Sequence, residues 1–315
     1  MNTPEFMIEA HDLHRAFGKK EAVAGISFNV RHGEIFGFLG PNGAGKTTTI
    51  RMLTGQIEPS SGSARVAGYD VVKERQQLKK RIGIVFEEQN LYDRLSARLN
   101  LEFACWLYNI PKSRIDEVLE LVRLRDRAKE PIRTFSNGMK QRIMIARALL
   151  HKPQVLFLDE PSRGLDPIAA HEVRQTITQL SREGITILLT THLMEEADQL
   201  CQHVAFIVNG HIVANDTPRN LKLAHGQRTV VVTLTENQPS NGTGALVEKE
   251  LAMDSSTDQA QLAEWLRLGT VRAVHSDEAS LEDVFIKVAG VSLSVSNPQR
   301  VEYERRLLPL PRGKV

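Results

Sequence analysis

The chain has 315 residues, 41% apolar and 25% charged, which excludes both a disordered polymer and a fibrous repeat. Forty basic against 38 acidic side chains leave a net charge of +2, so no global basic field points to direct nucleic-acid binding. Two cysteines, Cys105 and Cys201, cannot form a disulfide framework or a four-cysteine zinc site, and they suit a reducing cytosol. Along the chain, the apolar run at 35–39 is too short for a helix and has a glycine-rich turn behind it, which predicts a strand and then a helix over 48–55. Residues 82–86 read as a second strand. From about 88 to 152 no convincing strand appears, which predicts a helical insertion. Within it, Ser113 with Asp116 resembles a capping box ahead of Ile115, Val118, Leu119 and Val122 on one helical face. Strands at 155–158 and 185–190 flank a helix that opens at Pro167, repeats Ala170, Val173, Ile177 and Leu180, and stops at Gly184. Strand, helix, strand is the unit of a parallel sheet, and the nearly continuous apolar strands indicate a sheet covered on both faces. Asn209-Gly210 between two β-branched runs predicts a type I′ hairpin.

After Gly226 the composition changes. A strand at 229–235, a loop at 238–244 and a helix at 258–268 precede a final helix. There Ser280 and Asp283 form a capping box, Leu281, Val284, Phe285 and Val288 share a face, and Gly290 ends it. The expected organisation is an α/β domain over 6–224 with its helical subdomain, a small α+β unit over 225–290, and a flexible basic tail over 291–315. No apolar run approaches the roughly 20 residues of a membrane helix. The expectation is a cytoplasmic chain whose membrane role comes through a partner.

Four segments carry the chemistry. Gly40, Pro41, Asn42, Gly43, Ala44, Gly45, Lys46 and Thr47, with Thr48 behind them, fit the phosphate-loop pattern between a strand and a helix. Glycines let backbone N–H groups converge on phosphate oxygens, and the helix N-terminus adds partial positive charge. Lys46 is expected to reach the β- and γ-phosphates, and the Thr47 hydroxyl to ligate Mg²⁺. Asp159 and Glu160 emerge at the carboxyl end of a buried strand, where ligands bind in open α/β sheets. Asp159 suits the Mg²⁺ shell, and Glu160 suits orienting and polarising a water. Ser136, Asn137 and Gly138 open a helix with a side-chain cap, another anion-friendly start. His192 follows the last parallel strand and can donate to a phosphate oxygen.

In this order, with Gly164-Leu165-Asp166 between them, the segments resemble the nucleotide-binding subunit of an ATP-binding-cassette transporter over about residues 6–224. The resemblance implies a P-loop NTPase fold and an ATPase using ATP and Mg²⁺. Ser-Asn-Gly-Met-Lys-Gln-Arg and Leu-Glu-Asp-Val-Phe are similar to the branch that pairs with ABC-2-type permeases. It further implies that Phe17 stacks on adenine. Ser136, with Asn137 and Gly138, would serve the γ-phosphate of the opposite subunit in a homodimer or a pair with a sibling, and Asp166 would cross that interface. The place would be the cytoplasmic face of the membrane, held there by the permease. Glu87 stands where the family usually has a glutamine that touches Mg²⁺, with Gln89 the nearest glutamine. The alternative is a cassette ATPase acting on a macromolecular complex. The missing second phosphate loop, long heptads and zinc cysteines weigh against its known types.

Overall fold

Two long strands open the fold, β1 (Phe6–Phe17) and β2 (Lys20–Arg31), paired antiparallel in the computed structural model. The structure describes residues 5–290 except 227 and 237–244, so the expected loop at 238–244 and the tail at 291–315 lie outside the described residues. The chain continues through β3 (Ile35–Leu39), α1 (Lys46–Leu53), β4 (Ser61–Val66), β5 (Tyr69–Asp70), α2 (Arg75–Lys79) and β6 (Ile82–Val85). Helices α3 (Ala97–Tyr108), α4 (Arg114–Leu121) and α5 (Asn137–Leu149) then form the insertion. After them come β7 (Val155–Asp159), α6 (Pro167–Arg182), β8 (Thr186–Thr191), α7 (Met194–Leu200), β9 (His203–Val208), β10 (His211–Asp216) and α8 (Pro218–His225). The last part holds β11 (Arg228–Glu236), β12 (Ala245–Ala252), α9 (Ser256–Leu268), β13 (Val271–Glu278) and α10 (Leu281–Ala289).

The central sheet has the order β10-β9-β3-β8-β7-β6, parallel except for the β9–β10 hairpin at Asn209-Gly210. Its strands alternate between two cores, which is why they read as continuous apolar runs. Leu156 and Leu158 face the helical side with α6 and α7, while Val155 and Phe157 face α1 and a second, antiparallel sheet of order β2-β1-β4-β5. That antiparallel sheet is absent from the sequence-based reading. It brings β1 and β2 over the sheet, and Phe28, Phe36 and Phe38 pack there with ring centroids 5.1–6.2 Å apart.

Three expectations need correction. The helix after the phosphate loop starts at Lys46 and ends at Leu53, not over 48–55. The capping box at Ser113 does not form: Ser113 is in helical conformation with no side-chain cap, and Asp116 pairs instead with Arg98 on α3. The chain already turns at Pro111 and Lys112, whose carbonyls accept from Arg114 N and Ile115 N, so Ser113 lies inside the first turn and not ahead of it. The third concerns α10. Its Ser280–Asp283 box forms as expected, but Leu281, Val284 and Phe285 are buried in the helical-side core, and Phe285 meets Phe206 of β9 edge-on at 5.2 Å. The small sheet β12-β11-β13 has its own buried cluster of Val232, Leu234 and Leu251 under α9.

Candidate functional site

The phosphate loop joins β3 to α1. Gly45 takes φ 113°, and a Cβ there would lie 2.5 Å from the Ala22 carbonyl oxygen, so only glycine fits. Helix α1 has no side-chain cap and no acid in its first turn, which leaves its leading N–H groups for an anion. A Cβ on Gly43, at φ 80°, would meet nothing within 4 Å. The Lys46 side chain is buried and curls into the loop, donating to the Gly40 carbonyl at 2.6 Å and lying 3.1 Å from Glu160 Oε1.

Asp159 and Glu160 stand at the end of β7. Thr47 Oγ1 donates to Asp159 Oδ2 at 2.9 Å, and the Thr190 hydroxyl donates to Asp159 Oδ1. A hydroxyl and a carboxylate side by side are hard oxygen donors of the kind Mg²⁺ takes, so these two residues fit that ion. Glu160 has φ 52°, in the left-handed region that a non-glycine residue adopts at a cost. Its backbone N–H is held by the Thr190 carbonyl at 3.0 Å and the Thr190 hydroxyl at 3.1 Å. Its carboxylate lies between Lys46 on one oxygen and His192 Nδ1 on the other, at 2.7 Å. Lys46, Thr47, Asp159, Glu160 and His192 therefore form one connected group.

The remaining predicted residues lie outside that group. Ser136 caps α5, accepting from Met139 N at 3.2 Å, and Asn137 is the first residue of the helix. Gly138 packs on α6, where a Cβ would come 2.5 Å from Ala169 Cβ. Asp166 caps α6, accepting from Ile168 N and Ala169 N at 3.1 and 2.9 Å. Among the described residues, neither Ser136 nor Gly138 bonds to the phosphate loop. Phe17 is 49% exposed at the β1–β2 turn, with the Arg15 guanidinium 4.6 Å above its ring. Glu87 pairs with Arg163, not with Thr47 or Asp159.

The family model described as ABC transporter matches residues 23–163. The linearmycin resistance ATP-binding protein LnrL of Bacillus subtilis is 44% identical over 229 residues, covering 71% of this chain and 74% of that protein. The fluoroquinolones export ATP-binding protein of Mycobacterium tuberculosis is 41% identical over 273 residues, covering 87% and 89%. The chain belongs to the ABC transporter ATP-binding family. Among solved structures, cbiO1 from Clostridium perfringens, part of the ABC transporter complex cbiONQ, matches this cassette with a TM-score of 0.66 and 27% identity, over 71% of this chain and 93% of that one. The cassette is an α/β P-loop ATPase, and its nucleotide is ATP.

Sequence reasoning missed Thr190, Ser162, Glu196 and Arg163. Thr190 was findable. It is a hydroxyl at the end of an aliphatic strand, fully buried and in register with Asp159. A buried threonine beside a carboxylate is there to bond it. Ser162, Glu196 and Arg163 join segments far apart in sequence, and no local pattern marks such pairs.

Proposed function

We propose that this ATPase powers export through a separate ABC-2-type membrane permease, working as a head-to-tail dimer on the cytoplasmic face of the membrane. The observation that carries the catalytic part is the Glu160 carboxylate held between Lys46 and His192. On ATP binding, Lys46 exchanges Glu160 for β- and γ-phosphate oxygens. Thr47 and Asp159 would hold Mg²⁺, which would supply neutralisation of the charge that develops between the β- and γ-phosphates. Glu160, freed on one oxygen, orients the attacking water and takes its proton, while His192 keeps the other oxygen aligned and donates to the γ-phosphate. Phe17, on the exposed β1–β2 turn, stacks on the base.

Ser136 and Gly138 lie at the start of α5 with no bond to the phosphate loop of their own chain, which supports a site completed by the opposite subunit, with Asp166 at the interface. The exported molecule meets the permease, and two relatives are named for resistance and export. No described helix is long and apolar enough to cross a membrane. The permease is expected to dock on α3, where Phe103 and Trp106 are exposed with ring centroids 6.0 Å apart and Tyr92 lies edge-on to Phe103 at 5.4 Å. An exposed aromatic cluster of this kind marks an interaction surface.

The test is co-purification of the chain with a candidate ABC-2-type polytopic membrane protein, followed by ATPase assays. Trp106→Ala is expected to cost at least about tenfold in affinity for the permease, the size of an aromatic hot spot, and to leave the ATPase activity of the free chain unchanged. A chain that ignores the permease, and whose ATPase responds instead to a ribosome or nucleic-acid complex, overturns the export reading.

A further inference from the structure

One buried carboxylate near the site has no part in the chemistry above. Glu196 lies in the first turn of α7 and is 3% exposed. The Ser162 hydroxyl donates to Glu196 Oε1. Ser162 comes two residues after Glu160, and Glu196 four residues after His192. His192 in turn meets Glu160 Oε2 through its ring at 2.7 Å, with its backbone N–H at 3.4 Å. The chain thus closes a ring. It runs from Glu160 along the backbone to Ser162, across to Glu196, back along the start of α7 to His192, and across to Glu160.

A carboxylate is an expensive way to build a buried contact. Burial pushes the Glu196 carboxyl above the ordinary carboxylate range, opposed chiefly by its bond from Ser162. Packing alone is served as well or better by an apolar side chain of the same size. What an apolar side chain cannot do is accept the Ser162 hydroxyl and so hold the turn behind Glu160. That turn needs holding, because Glu160 sits at φ 52°.

We propose that Glu196 is a positioning residue for ATP hydrolysis: through Ser162 it fixes the turn that carries Glu160 at its place against His192. The proposal rests on the roles given to Glu160 and His192 above. Glu196 bonds to none of Lys46, Thr47 and Asp159, so its effect is expected on the rate and not on binding. A misplacement of the reacting carboxylate by about 1 Å costs on the order of 100-fold.

The test uses the full chain under conditions where the wild type turns over ATP. Glu196→Ala is expected to lower kcat by about 10- to 100-fold with KM and nucleotide affinity nearly unchanged. Ser162→Ala, which deletes only the hydroxyl, is expected to lower kcat in the same sense, and the double variant to be no worse than either single one. Glu196→Gln keeps an acceptor for Ser162 and is expected to stay within about threefold of wild type. The discriminating measurement is in the Glu160→Gln background. With the base already gone, Glu196→Ala is expected to change the residual rate by less than about twofold. An equal fold-loss in both backgrounds, no rescue by Glu196→Gln, or wild-type kcat in folded Glu196→Ala or Ser162→Ala overturns the proposal. Wild-type turnover by Glu160→Gln alone would instead sink the assignment of the base, which is a separate failure.

Discussion

At the scale of single residues, Lys46 and Glu160 touch each other and yet divide the work. In the proposed mechanism Lys46 answers phosphate charge that exists before reaction, whereas Glu160 acts on the water. Lys46→Ala is therefore expected to abolish ATP binding at working concentrations. Glu160→Gln is expected to bind normally and to lose about 10² to 10⁴ in turnover. A fluorescent-nucleotide titration and a phosphate-release assay on both variants check this, and near-normal binding by the Lys46 variant refutes it. Thr190→Val makes a sharper probe of the scaffold. It keeps the shape but removes the hydroxyl that bonds both Asp159 and the Glu160 N–H. The expected loss is about 1–3 kcal/mol of stability, the cost of leaving buried polar groups unpaired, together with slower turnover. Chemical denaturation and the ATPase rate measure the two effects; a variant as stable and as fast as wild type rules out the role. The residues of the phosphate loop and the pair Asp159-Glu160 were legible in the sequence because each lies within a few positions of the turn or strand end that presents it. Thr190 carries half a signal, a hydroxyl ending an aliphatic run, and the carboxylate it bonds lies on a neighbouring strand.

At the scale of elements, the contact between α5 and α6 places the two segments assigned to the dimer interface beside each other. Gly138 makes that contact possible, since a methyl group there would lie 2.5 Å from Ala169 Cβ. Arg142 reinforces it from the same helix, 3.0 Å from Glu172 of α6. Gly138→Ala is expected to destabilise the fold by about 1–3 kcal/mol through overpacking and to lower ATPase activity. Ala169→Gly in the same chain should recover most of the stability. A Gly138→Ala protein with an unchanged melting temperature contradicts the close-packing account. Caps show how far an element can be read alone. Ser280 and Ser113 carry the same local signature, with Asp three residues later. The Ser280 box forms because Ser280 is extended ahead of its helix, at φ −73° and ψ 160°; the Ser113 box does not, because Ser113 is already helical, at φ −56° and ψ −28°.

At the scale of the whole molecule, the last helix decides how the parts depend on one another. Helix α10 follows β13 of the small sheet, but its apolar face is built into the helical-side core, with Phe285 against Phe206. Phe285→Ala is accordingly expected to cost about 3–5 kcal/mol and to destabilise the nucleotide-binding core itself. Thermal unfolding followed with and without ATP reads this directly. If the variant loses only the signal of the small sheet, α10 belongs with the sheet after all. Assembly belongs to this scale too. Glu160→Gln with Mg-ATP is expected to double its mass by light scattering, because the proposed composite site has Ser136 and Gly138 completing the opposite subunit's site. A monomer under those conditions, both alone and with the permease, defeats the composite-site proposal.

The sequence by itself determined the parallel strands, the phosphate loop, the carboxylate pair and the terminal histidine. In each case the information is local: apolar run length, glycine spacing, or a polar residue at a strand end. Only the tertiary structure decided that β1 and β2 form a second sheet over the first. Burial along β1 follows no clean period of two, and the alternation of β2 over Ile26–Arg31 marks a strand without naming the strand it pairs with. Tertiary structure also decided that α10 packs into the main core and that Glu87 is held by Arg163. It alone put Glu196 behind Glu160. Each of these is a contest between partners distant along the chain, and a side chain's partner is settled by what packing brings within reach.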